Sequence, residues 1–311
     1  MDTFLAENLQ FLHCLVELRS PLLDRIMLLI TRIGEESVFL LIAIFVFWCV
    51  DKRKGYYLLS VGFFGTVINQ FLKITVRIPR PWVLDPSLTV VEGAREAATG
   101  YSFPSGHTQS IVGTMGGVAR FTKRLWLRAL CTAAIFAVAF SRLYLGVHTP
   151  LDVAASLLIG AVLVFALYPT FLRADEYTMR RIFLFMLVLS MIYLLYVELW
   201  QFPAGVDAEN LSSAVKNAYT LFGALLGVLL AYYLDTRFID FRTEAVWWAQ
   251  LLKLTLGLAL VLAVKSGLKA PLAMLFGDHC AAHTVRYFAT VLAAGTLWPM
   301  TFAWFARLGR K

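Results

Sequence analysis

Nine stretches of the chain are apolar for long enough to set its architecture, at about 36–50, 55–76, 105–119, 125–141, 150–172, 181–200, 214–234, 246–264 and 284–305. A helix needs roughly 20 such residues to cross about 30 Å of hydrocarbon, and most of these stretches approach that length. Within lipid, each backbone N–H and C=O must find its partner inside the protein, so continuous apolar runs of this size read as helices. Of the 311 residues, 59% are hydrophobic and 15% charged, against about 25% charged in soluble domains. A soluble enzyme is disfavoured, and the short loops leave no room for an aqueous domain. The expected fold is all-α, a polytopic transmembrane helical bundle.

Charge gives the topology. The excess of 28 Lys+Arg over 20 Asp+Glu, a net +8, would suggest nucleic acid in a soluble chain, but in a membrane protein basic residues mark cytoplasmic loops. Lys52, Arg53 and Lys54 follow the first stretch, Arg120, Lys123, Arg124 and Arg128 the third, and Arg173, Arg180 and Arg181 the fifth. Arg237 and Arg242 follow the seventh, and Arg307, Arg310 and Lys311 the ninth. Every second connection is therefore basic and expected inside. The connections 77–104, 142–149, 201–213 and 265–283 are expected outside, with the C-terminus in the cytoplasm. The first stretch is short and borrows length from 21–33, where Ser20 and Pro21 read as a helix start and Gly34 as a break. Residues 4–18 space Leu5, Leu9, Leu12 and Val16 helically, which suits either a helix lying in the interface or one packed at the periphery. Asp2 and Glu7 stand where a signal peptide would be basic, so no cleaved signal is expected.

Three outward stretches carry chemistry. The first is Lys73-Ile-Thr-Val-Arg-Ile-Pro-Arg80-Pro81, where two prolines end a span and leave two cations at its rim; alone, it also fits snorkelling. The second is Ser102-Phe-Pro104-Ser105-Gly106-His107, at a helix entrance whose free N–H groups suit an anion, with a glycine for close approach and a histidine for proton transfer. A plain structural turn would use the same residues. The third runs from Ser141-Arg142 to His148-Thr149-Pro150-Leu151-Asp152. Thr149 and Pro150 cap and start the next helix, and Asp152 in its first turn can fix the tautomer of His148, freeing the other ring nitrogen to attack. A carboxylate serving only the helix N-terminus is the bland alternative. Jointly, Lys73, Arg80 and Arg142 with His107, His148 and Asp152 fall on one face by an independent topology argument. Three cations beside helix-end N–H groups suit a dianionic phosphoryl group without a metal.

Together the stretches resemble the signature of the type 2 phosphatidic-acid phosphatase superfamily, KxxxxxxRP, PSGH and SRxxxxxHxxxD, with no departure at any position. The resemblance implies a phosphohistidine on His148, positioned by Asp152, with His107 protonating the leaving oxygen. It implies that Lys73, Arg80, Ser105, Gly106 and Arg142 hold the phosphoryl oxygens, with no cofactor. It further implies a membrane-embedded, metal-independent lipid phosphatase whose six-span core covers 36–200. Residues 1–35 then form an N-terminal segment outside the cytoplasm and 201–311 an extension of about three spans. Residues 80–85 and the span count resemble the glucose-6-phosphatase branch more distantly. The GYSFPSGH run and 238–248 look like bacterial homologues, implying a bacterial plasma membrane. Phosphatidate, phosphatidylglycerophosphate and polyprenyl diphosphate all fit as substrates, and nucleic acid does not. A phosphotransferase, a sugar-phosphate phosphatase or a phosphate-binding transporter would use the same residues. Two weaker features stand apart. Asp278, His279, Cys280 and His283 cluster metal-capable side chains in one loop, and Cys14 with Cys280 are both expected outside.

Overall fold

Caps and breaks in the sequence set the helix ends. The computed structural model describes residues 2–96 and 98–308, with side chains from Glu7 onward; Arg310, Lys311 and the Leu5 side chain lie outside the described residues. Helices α1 (Asp2–Glu17) and α2 (Pro21–Arg32) are separated at Ser20, whose extended backbone and hydroxyl cap α2 through Leu23 N, with Pro21 in the first turn. Helix α3 (Glu36–Phe45) continues through a π-helical turn, Val46–Val50, and is followed by α4 (Lys52–Val76) and the single turn α5 (Pro81–Leu84). Helix α6 (Gly106–Ile111) runs through a second π-helical turn, Val112–Gly116, into α7 (Gly117–Phe121). Then come α8 (Leu125–Tyr144), α9 (Pro150–Arg173), α10 (Glu176–Leu199), α11 (Ala208–Leu234), α12 (Trp247–Gly267), α13 (Lys269–Phe276), α14 (Ala281–Leu292) and α15 (Phe302–Arg307).

Among the described residues seven helical stretches are long and apolar enough to cross a membrane: Lys52–Leu84, Leu125–Tyr144, Pro150–Arg173, Glu176–Leu199, Ala208–Ile239, Trp247–Phe276 and Ala281–Arg307. Helices α2 and α3, bent by 45° at their junction, make an eighth if they count as one span. The stretch expected at 105–119 is helical but, at ~1.5 Å per residue over Gly106–Phe121, reaches only about 24 Å. Large apolar side chains such as Leu125, Phe136, Leu158 and Phe185 remain exposed on these helices, as lipid-facing positions require.

Contacts group the chain into two units. The first comprises Met1–Ala43 with Tyr57–Thr170. In it α1 is a packing helix: Leu12 and Leu15 bury against Leu88 and Leu143, and Asn8 Oδ1 accepts from Leu151 N at 3.2 Å. Leu23, Met27 and Leu28 of α2 cover Tyr144, Leu145 and Val147, the approach to α9. The bend after α2 depends on Gly34, where a Cβ would lie 2.7 Å from Val138 and 3.0 Å from the His107 carbonyl.

The second unit comprises Ile44–Tyr56 with Phe171–Lys311. Its helices α11 and α14 meet at Gly223 and Gly227, where a Cβ would fall 2.2 Å from the Thr284 carbonyl and 2.8 Å from Val291. Two small residues four apart on one face let the backbones touch. Tyr56, Phe183 and Tyr232 stack beside them. The metal-capable loop is not assembled: His279 lies against the Tyr219 ring, His283 meets Arg286 at 2.9 Å, and no group of three potential ligands forms among the described residues. Cys14 and Cys280 are free thiols.

Candidate active site

All three chemistry-bearing stretches fall in the first unit and meet at one cavity of about 220 Å³, lined by Lys73, Arg80, Gly106, His107, Arg142 and His148 among others. At ~30 Å³ per water, that is room for about seven waters, or for a phosphoryl group and the first atoms of its alcohol.

Backbone geometry explains how the cations arrive. Lys73 lies in the last turn of α4, which stops at Arg77, held at φ +57. A left-handed non-glycine residue is costly; here it turns the chain so that Ile78 O can accept from Ser102 N at 2.9 Å and Arg80 points back toward the cavity. Neutral oxygens hold the three cations. Lys73 Nζ donates to the Tyr101 carbonyl. Arg80 donates through Nε to Gly100 O at 2.9 Å, through one terminal nitrogen to Thr99 O at 2.6 Å, and through the other to Val147 O at 2.9 Å. Arg142, only 1% exposed, donates to Thr31 Oγ1 at 2.7 Å. The fixed guanidinium forks leave little orientational entropy to lose when an oxyanion binds.

The second stretch enters at a helix start. Ser105 is the cap: its Oγ accepts from Thr108 N at 3.4 Å, and Gly106 is the first helical residue. A Cβ on Gly106 would meet only Asn69 Oδ1, at 4.0 Å, so the helix entrance is open for close approach of a ligand. Ser105 N donates to Asp152 O at 3.2 Å, which ties this turn to α9.

The third stretch shapes His148. Gly146, at φ +78, would as any other residue place a Cβ 3.0 Å from Thr89 O, so the chain turns sharply between Arg142 and His148. Thr149 and Asp152 cap α9 reciprocally, Thr149 N donating to Asp152 Oδ2 at 2.7 Å and Asp152 N to Thr149 Oγ1 at 3.4 Å. Ser102 Oγ donates a second bond to Asp152 Oδ2, at 2.6 Å. That same carboxylate oxygen lies 3.4 Å from His148 Nδ1. On the other side of the ring, Nε2 is 3.0 Å from an Arg80 guanidinium nitrogen. Arginine only donates, so Nε2 carries the lone pair and Nδ1 the proton. Burial, followed by the positive charge of Arg80, Arg142 and Lys73, holds the imidazole well below the usual histidine range. His148 is a neutral ring whose Nε2 lies against Arg80, and it lines the same cavity as Lys73 and Arg142.

The sequence reading missed Thr31 and Asn69, and it named Ser102 without its role. Thr31 of α2 anchors Arg142, Ser102 braces Asp152, and Asn69, one helical turn before Lys73, donates to Pro104 O at 3.3 Å. The Asn69–Lys73 spacing, four residues on one helix face, was a usable signal; nothing local pointed to Thr31.

Residues 53–176 match the family model described as PAP2 superfamily, and residues 219–311 the model described as PAP2 superfamily phosphatase, transmembrane extension. Sphingosine-1-phosphate phosphatase 1 of Rattus norvegicus is 26% identical over 274 residues, 82% of this chain and 62% of that protein. The chain thus spans less than two thirds of that relative's length. Undecaprenyl-diphosphatase BcrC of Bacillus subtilis (strain 168) is 30% identical over 154 residues, 48% of this chain and 75% of that protein. A solved PAP2-type phosphatidylglycerolphosphate phosphatase from Bacillus subtilis superposes with a TM-score of 0.48 at 22% identity, covering 57% of this chain and 90% of that one. With both family models matched in sequence order and the full motif set around one cavity, the chain belongs to the PAP2 superfamily of membrane phosphatases.

Proposed function

We propose that this protein is a lipid phosphatase that removes phosphate from a lipid phosphomonoester or diphosphate through a phosphohistidine on His148. The observation that carries the reading is the placement of His148: Nε2 lies 3.0 Å from an Arg80 guanidinium nitrogen and Nδ1, which makes no hydrogen bond, faces Asp152 Oδ2 at 3.4 Å, in a cavity lined by three cations. A phosphoryl dianion entering the cavity draws the guanidinium forks onto its equatorial oxygens, which uncovers the Nε2 lone pair for in-line attack. The bond from phosphorus to the leaving oxygen breaks as the bond to Nε2 forms. Burial, followed by the charge of Arg142, Arg80 and Lys73, holds the His107 imidazole well below the usual histidine range. A bound phosphoryl dianion offsets those cations, so that His107 takes up a proton from solvent and passes it to the leaving oxygen, while Asp152 stabilises the positive charge that grows on the His148 ring. Water then attacks the phosphohistidine, with His107 taking its proton, and inorganic phosphate leaves. Lys73, Arg80 and Arg142 supply the charge stabilisation, with Gly106 offering a helix-end N–H group, so turnover is expected to persist in EDTA.

The relatives named for sphingosine-1-phosphate and undecaprenyl diphosphate support a lipid substrate, as does the membrane-spanning fold, which lets the tail stay in hydrocarbon while the phosphate enters the cavity. The alternation of basic loops supports a cavity opening outside the cytoplasm, a cytoplasmic C-terminus and, with the bacterial relatives, a plasma-membrane location. Phosphate release from purified lipid and sugar phosphates in detergent, run beside His148→Ala, tests the proposal. Release from lipid phosphates by the wild type alone supports it; equal release by His148→Ala refutes it.

A further inference from the structure

The first unit holds a concavity larger than the catalytic one. A groove of about 560 Å³ lies between the α6–α7 helix, α8 and α9, against about 220 Å³ for the cavity, and the two share no lining residue. Helix direction places it. His107 stands at the start of α6 and Arg120 at the end of α7, while Arg128 stands in the first turn of α8 and Arg142 in its last. Arg120 and Arg128 therefore lie at the end of these helices opposite the catalytic residues. Between the two sites Val112 packs on α9, where a Cβ on Gly160 would fall 2.5 Å from its Cγ1.

The groove has an apolar floor and a cationic end. Val112, Ile135, Leu157 and Val164 make the floor, and Phe136 and Phe165 at the rim are 61% and 63% exposed, so one side opens to the surrounding hydrocarbon. From Arg128 to Phe136 the floor follows α8 for about 12 Å at ~1.5 Å per residue. At the cationic end both guanidinium groups are held in place. Arg120 lies 4.3 Å from the Tyr168 ring centre and 5.7 Å from that of Phe165. Arg128 donates through Nε to Thr122 O at 2.9 Å, which leaves its two terminal nitrogens open. Neither arginine forms an ion pair among the described residues, nor do Lys123 and Arg124 between them. The sequence supplies no counter-charge nearby either: residues 97–151 contain no Asp or Glu.

Oriented guanidinium forks without a carboxylate suit a phosphate. A free anion would leave the apolar floor unused, and a zwitterionic lipid would bring its own ammonium toward the two arginines. A lipid whose headgroup carries net negative charge satisfies both ends of the groove. We infer that the groove binds an anionic phospholipid, with an acyl chain along the floor and the headgroup phosphate on Arg120 and Arg128, in the leaflet opposite the catalytic cavity. No histidine lines the groove, so the lipid is a ligand there and not a substrate. Seated between three helices, it ties together segments whose other ends carry His107, Arg142 and His148.

The test follows the Tm of the full chain in detergent micelles as one of three probes is added: dioleoylphosphatidylglycerol, dioleoylphosphatidylcholine, or the water-soluble headgroup glycerophosphoglycerol. The first alone should raise Tm, by roughly 3–6 °C near saturation. Arg120→Gln and Arg128→Gln should each raise the mole fraction of phosphatidylglycerol that gives half the shift about fivefold. Ala161→Phe, which fills the floor, should remove the shift. An equal rise with phosphatidylcholine or with the free headgroup would overturn the inference, as would an unchanged half-point in both arginine variants. A mass that falls from two copies to one on Ala161→Phe, with no response to phosphatidylglycerol, would assign the groove to a second copy of the chain and overturn it too. All of these outcomes leave the phosphatase reading standing.

Discussion

Both units bury charge in a membrane protein, and they treat it in opposite ways. In the second unit, Lys52 Nζ lies 2.8 Å from Asp235 Oδ2, whose carboxylate is fully buried, and 4.3 Å from the Phe241 ring. Lys253, also fully buried, donates to Thr243 O at 2.9 Å and sits 4.5 Å from the Phe302 ring. Charge there is cancelled or cushioned where it stands. In the first unit, Lys73, Arg80 and Arg142 converge on one cavity and are held by carbonyls and a hydroxyl, while Asp152 is turned to His148, Ser102 and Thr149. Around that cavity the three cations outnumber the nearby carboxylates of Asp152 and Glu36, an excess of positive charge that suits a dianion. Charge neutralised by the protein contributes to folding; charge left open is available for a ligand.

The largest expected break in that contrast is chemical. Asp152→Asn keeps the shape of the α9 cap but loses control of the His148 tautomer, and phosphate release should fall by about 10³–10⁴, by analogy with the effect in hydrolase triads. A loss below about tenfold, measured as kcat on a lipid phosphate, would reduce Asp152 to a helix cap. Arg142→Ala should lower the rate by about 10²–10³ if it stabilises the transition state. Vanadate should raise the Tm of the wild type and not that of this variant; an equal rise in both would place the anion elsewhere.

In the second unit the effects should reverse. Lys52→Met leaves the Asp235 carboxylate buried without its cation, at a cost of about 3–5 kcal/mol in stability, while kcat per folded molecule stays within about twofold. A collapse of kcat with Tm unchanged would erase the distinction between the units. A smaller effect concerns pH. An unfolded histidine titrates near 6.5, and the folded protein holds His148 well below that. As pH falls below about 6.5, the unfolded chain binds the proton first, so this term leaves stability intact above that pH and lowers it below, by up to ~1.4 kcal/mol per pH unit. His148→Gln should flatten the decline in Tm between pH 6.5 and 5; parallel curves would contradict the neutral, buried ring. Smallest of all, His13 meets Asp85 at 2.8 Å on a partly exposed surface, and His13→Ala should leave Tm essentially unchanged.

Much of this was legible in the chain itself. Hydropathy alone gave the helical membrane fold, since apolar runs near 20 residues leave the backbone few alternatives, and Ser20, Pro21, Thr149 and Pro150 marked helix starts that the structure keeps. Residues as far apart as Lys73 and His148 could be grouped because the alternation of basic loops places them on one side. The bent α2–α3 pair was less legible. Its role comes from Thr31 reaching Arg142, more than a hundred positions away, and from Gly34 fitting against the His107 backbone; long-range packing of this sort leaves no periodic trace. The third apolar stretch fell short of a full span for a similar reason: hydropathy reports composition, whereas the helix ends where Thr122 turns extended.

The central claim is that His148 Nε2 attacks phosphorus. Its most direct test is to mix the enzyme with lipid phosphate labelled on the phosphoryl group, stop the reaction in alkaline denaturant within one turnover, and locate the label by mass spectrometry. Phosphate should appear on His148 in the wild type and be absent from His148→Ala. Label on another residue, or steady release of phosphate by His148→Ala with no labelled protein, would contradict it.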